Sequence, residues 1–286
     1  AICWSGCCDM SAVPAANGWQ ARLTLGFERR GPRTVLARRR HQGPLVVQRP
    51  FYPEAGVCHV YLLHPPGGVV GGDELTVEVQ CAAGTEALVT TPAATKFYRS
   101  GGPVAVQRQH LAVAAGARLE WVPQETIVFA GSRVDTTTRV DLEPGAAFVG
   151  WEILCLGRPA SGEVFDRGHA VQRLEVWRAR EPLLLDRTRV DGAGAMPSAP
   201  WGLAGCPVSA TLVATPADGD ALAAVRDGVC VDGDERFGAT LLDDLLVCRY
   251  LGHHGERART VFDQVWALLR PGLAGRPACA PRIWRT

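Results

Sequence analysis

Four carboxylates stand out by the company they keep. Across Leu119–Phe129 the alternation of a strand groups Glu125 with Trp121, Ile127 and Phe129, the more apolar face and so the expected inner one. A bulge at Pro123 would reverse that parity. Glu152 shares parity with Phe148 and Leu154 in a second apolar run. Glu163 follows Arg158-Pro159-Ala160-Ser161-Gly162, and Asp73 closes a glycine-rich turn containing Gly67, Gly68, Gly71 and Gly72. A charge on an apolar face is costly unless it is paired, hydrated or metal-bound. Three uses follow. Each carboxylate pairs with one of the many arginines. Or the acids supply oxygen ligands that hold a divalent cation loosely. Or two of them do the acid–base work of glycoside hydrolysis, with the chain a β-solenoid carbohydrate-active enzyme.

Other chemistry is thin. The chain has no GxSxG, HExxH, Walker A or strand-borne GxGxxG sequence. The Gly67–Gly72 turn lacks the Lys-Ser/Thr that would hold a triphosphate. His59 and His64 are five apart on one strand and point to opposite faces, and His253-His254 reads as an exposed turn between Gly252 and Gly255. A tight His/Cys metal site is therefore not visible. No CxxC pair occurs. Cys58, Cys81, Cys155, Cys206, Cys230, Cys248 and Cys279 sit in or beside apolar segments and read as small hydrophobes. Cys3, Cys7 and Cys8 could offer thiolates to a soft metal, but Met10 reads as an ordinary start and residues 1–9 as an upstream extension. The densest polar stretch is Thr90, Thr91, Lys96, Tyr98, Arg99 and Ser100, and Lys96 is the only lysine.

The elements that must position these residues are mostly strands. Short alternating runs separated by Gly-Pro turns fill residues 18–63. The segments 81–92, 113–123 and 142–154 then repeat one form, a small-residue turn with Gly84, Gly116 or Gly145 followed by an apolar strand. Their spacings of 32 and 29 residues, each turn preceded by a strand (75–80, 104–113 and 133–142), suit stacked coils. Further strands are expected at 172–177, 183–190, 208–214, 229–232 and 239–249. Thr215 as N-cap with Pro216 at N1 predicts a helix to about Arg226. A second, amphipathic helix is expected over 256–270, with Val261, Phe262, Val265, Trp266, Leu268 and Leu269 on one side and Pro271 as its end. Val261, Phe262, Trp266, Ile283 and Trp284 form either core or a partner surface. The fold class is mainly β: a β-helix-like stack of strands, solenoid- or sandwich-like, with two or so helices near the C-terminus. Residues 1–17 are expected as an N-terminal extension and 18–286 as a single β-rich domain.

Composition narrows the partners. The 286 residues are 47% hydrophobic and 21% charged with a net charge of +1, so no global field favours nucleic acid or an anionic membrane. No apolar run approaches the length of a membrane span and no signal-peptide pattern is present. A cytoplasmic location without a disulfide framework is expected.

Residues 64–73 (HPPGGVVGGD), 90–100 (TTPAATKFYRS), 119–132 (LEWVPQETIVFAGS), 153–165 (ILCLGRPASGEVF) and 269–286 (LRPGLAGRPACAPRIWRT) occur in this order, after a GFERRGPRTVL start. In these the chain resembles the UreD (UreH) urease accessory proteins over roughly residues 18–286. The resemblance implies a β-rich stack of strands with a C-terminal helix pair and no catalytic activity. It implies urease apoprotein and the helical UreF protein as partners and, through UreF, the GTPase UreG. It implies no tightly bound cofactor, only Ni2+ in transit through an internal tunnel. Oxygen ligands suit such transit, because imidazole and thiolate would hold nickel more firmly. Glu125 and Asp73 are then expected to line or gate the path, with Glu152 and Glu163 as further oxygen donors. His64, Thr90, Thr91, Lys96, Tyr98 and Arg99 lie in the matching motifs. A scaffold that recruits UreF without conducting metal is the other reading.

Overall fold

The computed structural model describes residues 18–285. The N-terminal extension with Cys3, Cys7 and Cys8 lies outside the described residues. A hairpin opens the fold, β1 (Gln20–Arg30) and β2 (Arg33–Gln42), turning at Gly31-Pro32. β3 (Val46–Val47) and β4 (Cys58–Leu63) follow. Three coils come next: β5 (Glu74–Cys81), β6 (Glu86–Thr90) and β7 (Thr95–Phe97); β8 (Ala105–Val113), β9 (Arg118–Trp121) and β10 (Thr126–Val128); β11 (Arg133–Leu142) and β12 (Ala147–Leu156). β13 (His169–Arg178) and β14 (Glu181–Asp191) form a closing hairpin. β15 (Val208–Thr215), α1 (Gly219–Gly228), β16 (Arg236–Leu242), β17 (Leu245–Gly252) and α2 (Gly255–Ala274) complete the chain.

The strands form a β-solenoid of about four turns. One sheet has seven strands in the order β14-β13-β11-β8-β5-β1-β2. The other has ten, with β16-β17-β15-β12-β9-β6-β4-β3 as its path and β7 and β10 attached beside β12. Successive coils pair in parallel, β5 with β8 and β8 with β11 on one sheet, β6 with β9 and β9 with β12 on the other. The repeated turns are what allow this. Gly84, Gly116 and Gly145 adopt φ of 70°, 68° and 79°, where a side chain would be strained, and the turns stack, with the Gly116 N–H donating to Gly145 O.

Alternation sorts the side chains into two cores. Leu23, Leu25, Val77, Val79, Leu111, Val140 and Val176 meet Val60, Val89, Leu119, Trp121, Phe148 and Leu154 between the sheets. The outer face of the ten-stranded sheet packs Val149, Trp151, Ile153, Leu212 and Cys248 against Val261, Phe262, Val265, Trp266 and Leu269 of α2. Trp284 lies 5.9 Å from Trp151, tilted, and 5.9 Å from Trp266, edge-on, so Val261, Phe262 and Trp266 are core and the partly buried Trp284 packs against it.

Several expectations are corrected. The first helix starts at Gly219, because Asp218 caps it by accepting the Ala221 N–H, while the Thr215 hydroxyl is used by Arg178 and Asp244. Residues 229–232 are irregular, and the final hairpin is β16–β17, turning at Asp243-Asp244. The second helix runs through Pro271 to Ala274, closed by Gly275, whose N–H donates to Pro271 O. Leu268 is exposed rather than inward, and so is Cys230. The parity predicted for Glu125 reverses. β9 ends at Trp121, Pro123 lacks the N–H to continue the ladder, and β10 resumes with Val128 inward.

Candidate functional site

Between the sheets the apolar alternation is interrupted along one line. On the seven-stranded sheet, Gln107 of β8 pairs with Thr136 of β11, which pairs with Gln172 of β13, which pairs with Thr188 of β14. One step along, Gln109 pairs with Thr138. All take the inward parity of Ala105, Leu111, Val134 and Val140. On the facing sheet, Glu152 of β12 pairs with Thr211 of β15, which pairs with Arg249 of β17. These rows make a polar strip along the solenoid axis. The sheets meet across it. Glu152 hydrogen-bonds with Thr138, the Thr138 hydroxyl donates to Gln109 Oε1 at 2.5 Å, and Arg249 Nη1 reaches Asp186 Oδ2 at 2.7 Å. Burial pushes the Glu152 carboxyl up to about 7, the Thr138 hydrogen bond opposes this, and the Asp186 charge adds to it.

The other three predicted carboxylates lie elsewhere. Asp73, 4% exposed, accepts the Trp19 N–H at Oδ1 (2.8 Å) and the Val70 N–H at Oδ2 (2.9 Å), so both its oxygens hold backbone. Glu163 accepts the Ala130 N–H at 2.7 Å and pairs with Arg158. Burial would raise its pKa, but these two partners hold it below the usual value. Glu125 faces α2, with one oxygen 4.0 Å from Arg259 and that oxygen buried without a hydrogen bond. Its reversed parity separates it from Glu152, so the two cannot act as an acid–base pair. Among the described residues no group of three or more His, Cys, Asp or Glu side chains is arranged to hold a metal ion.

The polar motif residues build corners. The Thr90 hydroxyl donates to Val122 O at 2.6 Å and accepts from Trp284 Nε1 at 2.9 Å, while Thr91 accepts the Gln124 N–H. Tyr98 meets Phe129 edge-on at 5.0 Å, and Arg99 packs over Gly131. Lys96 is half-buried on β7, on the opposite face from the inward Phe97. His64, just beyond β4, borders a cavity of about 220 Å3 with Leu62, Leu75, Thr91, Gln107 and Gln109. Lys96 also borders it.

A family model for the UreD urease accessory protein matches residues 20–285. The urease accessory protein UreD of Alkalilimnicola ehrlichii is 49% identical over 277 residues, covering 96% of this chain and 94% of the relative. That of Azoarcus sp. is 50% identical over 282 residues, covering 97% and 98%. That of Alcanivorax borkumensis is 47% identical over 285 residues, covering 97% and 96%. The chain belongs to the UreD urease accessory protein family. It is therefore an accessory protein of urease maturation rather than an enzyme.

The most deeply buried ion pair lies away from the strip. Arg270 of α2 bonds Glu120 of β9, Glu54 and Pro277 O, and Glu120 also accepts Trp266 Nε1 at 2.6 Å. Burial would raise the Glu54 carboxyl, but His59 and Arg270 bring it down to about 2. Burial would lower the Arg270 pKa, and its two carboxylates raise it instead. Sequence reading missed this cluster, because Glu54 lies in a loop and Arg270 is 150 residues from Glu120. It also missed Gln107, Gln109, Thr136 and Thr138. Their signal was present, as polar residues at inward parity in otherwise alternating strands.

Proposed function

We propose that this chain assists assembly of the urease nickel site by joining urease apoprotein to UreF and, through it, to the GTPase UreG, in the cytoplasm. In this reading Ni2+ passes along the polar strip between the sheets. The observation that carries it is the register that lines up Gln107, Thr136, Gln172 and Thr188 opposite Glu152 and Thr211. Amide, hydroxyl and carboxyl oxygens are weak ligands for nickel, so they suit passage rather than storage. The elevated Glu152 pKa leaves a carboxyl that is not already committed to an ion pair. Glu125, with a buried oxygen 4.0 Å from Arg259 under α2, lies on the other face of the ten-stranded sheet and could donate an oxygen only outside the strip. Asp73 and Glu163, tied to backbone, shape the corners of the coil.

The test is urease activity in a strain lacking the native protein and complemented with Glu152→Gln. Activation should fall at limiting nickel and recover in part with added nickel, while UreF and urease still co-purify with the variant. Full activation by Glu152→Gln would remove this residue from the mechanism and leave a scaffold role.

A further inference from the structure

Asp73 and Glu163 stand off the strip, and both act on the corner that returns each coil to the seven-stranded sheet. The two oxygens of the buried Asp73 hold the N–H groups of Trp19 and Val70. Those residues turn their side chains outward, Trp19 56% and Val70 48% exposed. Val69 bridges Phe97 in parallel and the Phe129 N–H donates to Phe97 O. Val70, Tyr98 and Phe129 therefore follow one another on successive coils, about 4.8 Å per step. Glu163 fixes the far end, accepting the Ala130 N–H and holding Arg158, whose guanidinium lies 4.5 Å over the Phe129 ring. The next residue, Val164, is 72% exposed. The result is an outward apolar stripe whose backbone is held in place by buried carboxylate contacts.

An exposed apolar stripe rimmed by charge marks a contact surface, and Trp, Tyr and Arg are the usual anchors of one. Because the anchors are already held, docking costs them little further ordering. The rim favours one sign of charge. The corner segments 66–73, 96–104, 129–133 and 157–168 carry five cations and three carboxylates. All three carboxylates are engaged, Asp73 and Glu163 as above and Asp166 by Arg167. Arg99 and Arg133 are exposed and have no carboxylate partner among the described residues. A groove of about 480 Å3 between Trp19, Val70 and Tyr98 shares Gly68 as a wall with the cavity that Gln107 and Gln109 of the strip border.

We propose that this corner docks an aliphatic, acidic segment of a partner protein, and that the partner is urease apoprotein. The aliphatic side chains cover the stripe and the carboxylates meet Arg99 and Arg133. The shared Gly68 wall sets the docked protein beside a cavity that reaches the strip, as a recipient of the metal requires. The assignment rests on the reading of this chain as the bridge between urease apoprotein and UreF.

The experiment titrates purified urease apoprotein and, separately, purified UreF onto the full-length chain. A triple variant, Trp19→Ser with Val70→Ser and Val164→Ser, alters only exposed side chains, so its thermal melt should match wild type. It should bind urease apoprotein at least about ten-fold more weakly and bind UreF as wild type does. Arg99→Glu should also weaken urease binding, by a factor that shrinks in high salt, while Arg99→Lys retains it. If the triple variant melts lower, the two Arg99 variants decide the matter. Unchanged urease binding by a folded triple variant overturns the proposal and spares the bridge. Loss confined to UreF, or a wild-type dimer that the triple variant abolishes, gives the stripe another occupant and also overturns it. A wild-type chain that binds neither protein overturns the bridge and the docking surface together.

Discussion

Glu120 of β9 and Arg270 of α2 form an ion pair with Nε to Oε2 at 3.0 Å, the two residues only 2% and 1% exposed. Arg270 also serves Glu54 and the Pro277 carbonyl, so one guanidinium ties the long helix, the ten-stranded sheet and the C-terminal segment together. Arg270→Met would leave two carboxylates without their cation. Breaking a buried pair in this way costs about 3–5 kcal/mol. Urea unfolding should show that loss, and a Glu120→Leu, Arg270→Met double variant should recover part of it. A double variant destabilised by the sum of the Glu120→Leu and Arg270→Met costs would mean that the pair is not coupled.

Glu152 gives the opposite sign of charge effect. Its carboxyl is raised from 4.5 to about 7, so folding favours the protonated form. The stability this contributes is full below about pH 4.5 and is lost as pH rises through about 7. Glu152→Gln should therefore flatten the stability profile between those values and make the protein more stable than wild type at pH 8. Thermal melts across pH 5–8 would check this. A wild-type profile already flat in that window would mean that the carboxyl is ionised and solvated.

The coil was legible in sequence because its turn is local. Gly84, Gly116 and Gly145 announce the left-handed turn wherever it recurs, and the flanking strands fell within a residue or so of their expected bounds. Glu152 was placed correctly for the same reason, since nothing interrupts alternation from Phe148 to Leu154. Glu125 was misplaced because Pro123 breaks the ladder between β9 and β10, and period-two reasoning does not survive a missing residue pair. Asp73 looked available from its motif, yet its two partners are the backbone of Trp19 and Val70, the first 54 residues away. The polar strip needed the register of four strands at once, which no single stretch of sequence contains.

The glycine-rich turn before Asp73 makes a packing prediction. A Cβ on Gly68 would lie 2.0 Å from a ring carbon of Tyr98. Gly68→Ala should therefore cost about 1–3 kcal/mol by overpacking. Tyr98→Leu removes the ring and should reduce the cost of the alanine, so the two changes should combine to less than their sum. Strict additivity in chemical denaturation would show that the ring is not what opposes the alanine.

Thr136 separates conduction from scaffolding. Its hydroxyl makes only a long contact, 3.4 Å, to Val171 O, yet it sits mid-strip between Gln107 and Gln172. Thr136→Val keeps the shape and the β-branching while deleting an oxygen from the row. It should change stability by less than about 1 kcal/mol, because little bonding is lost and apolar area is gained. It leaves the outer surfaces untouched, so a protein that only holds partners together should activate urease as well as wild type. A chain that passes a cation along the strip should not, because a methyl group replaces an oxygen where the ion must exchange ligands. Several-fold weaker activation at limiting nickel, with normal co-purification of urease, is the outcome expected. Full activation by Thr136→Val together with Thr211→Val, which removes one hydroxyl from each facing row, would count against passage of nickel between the sheets.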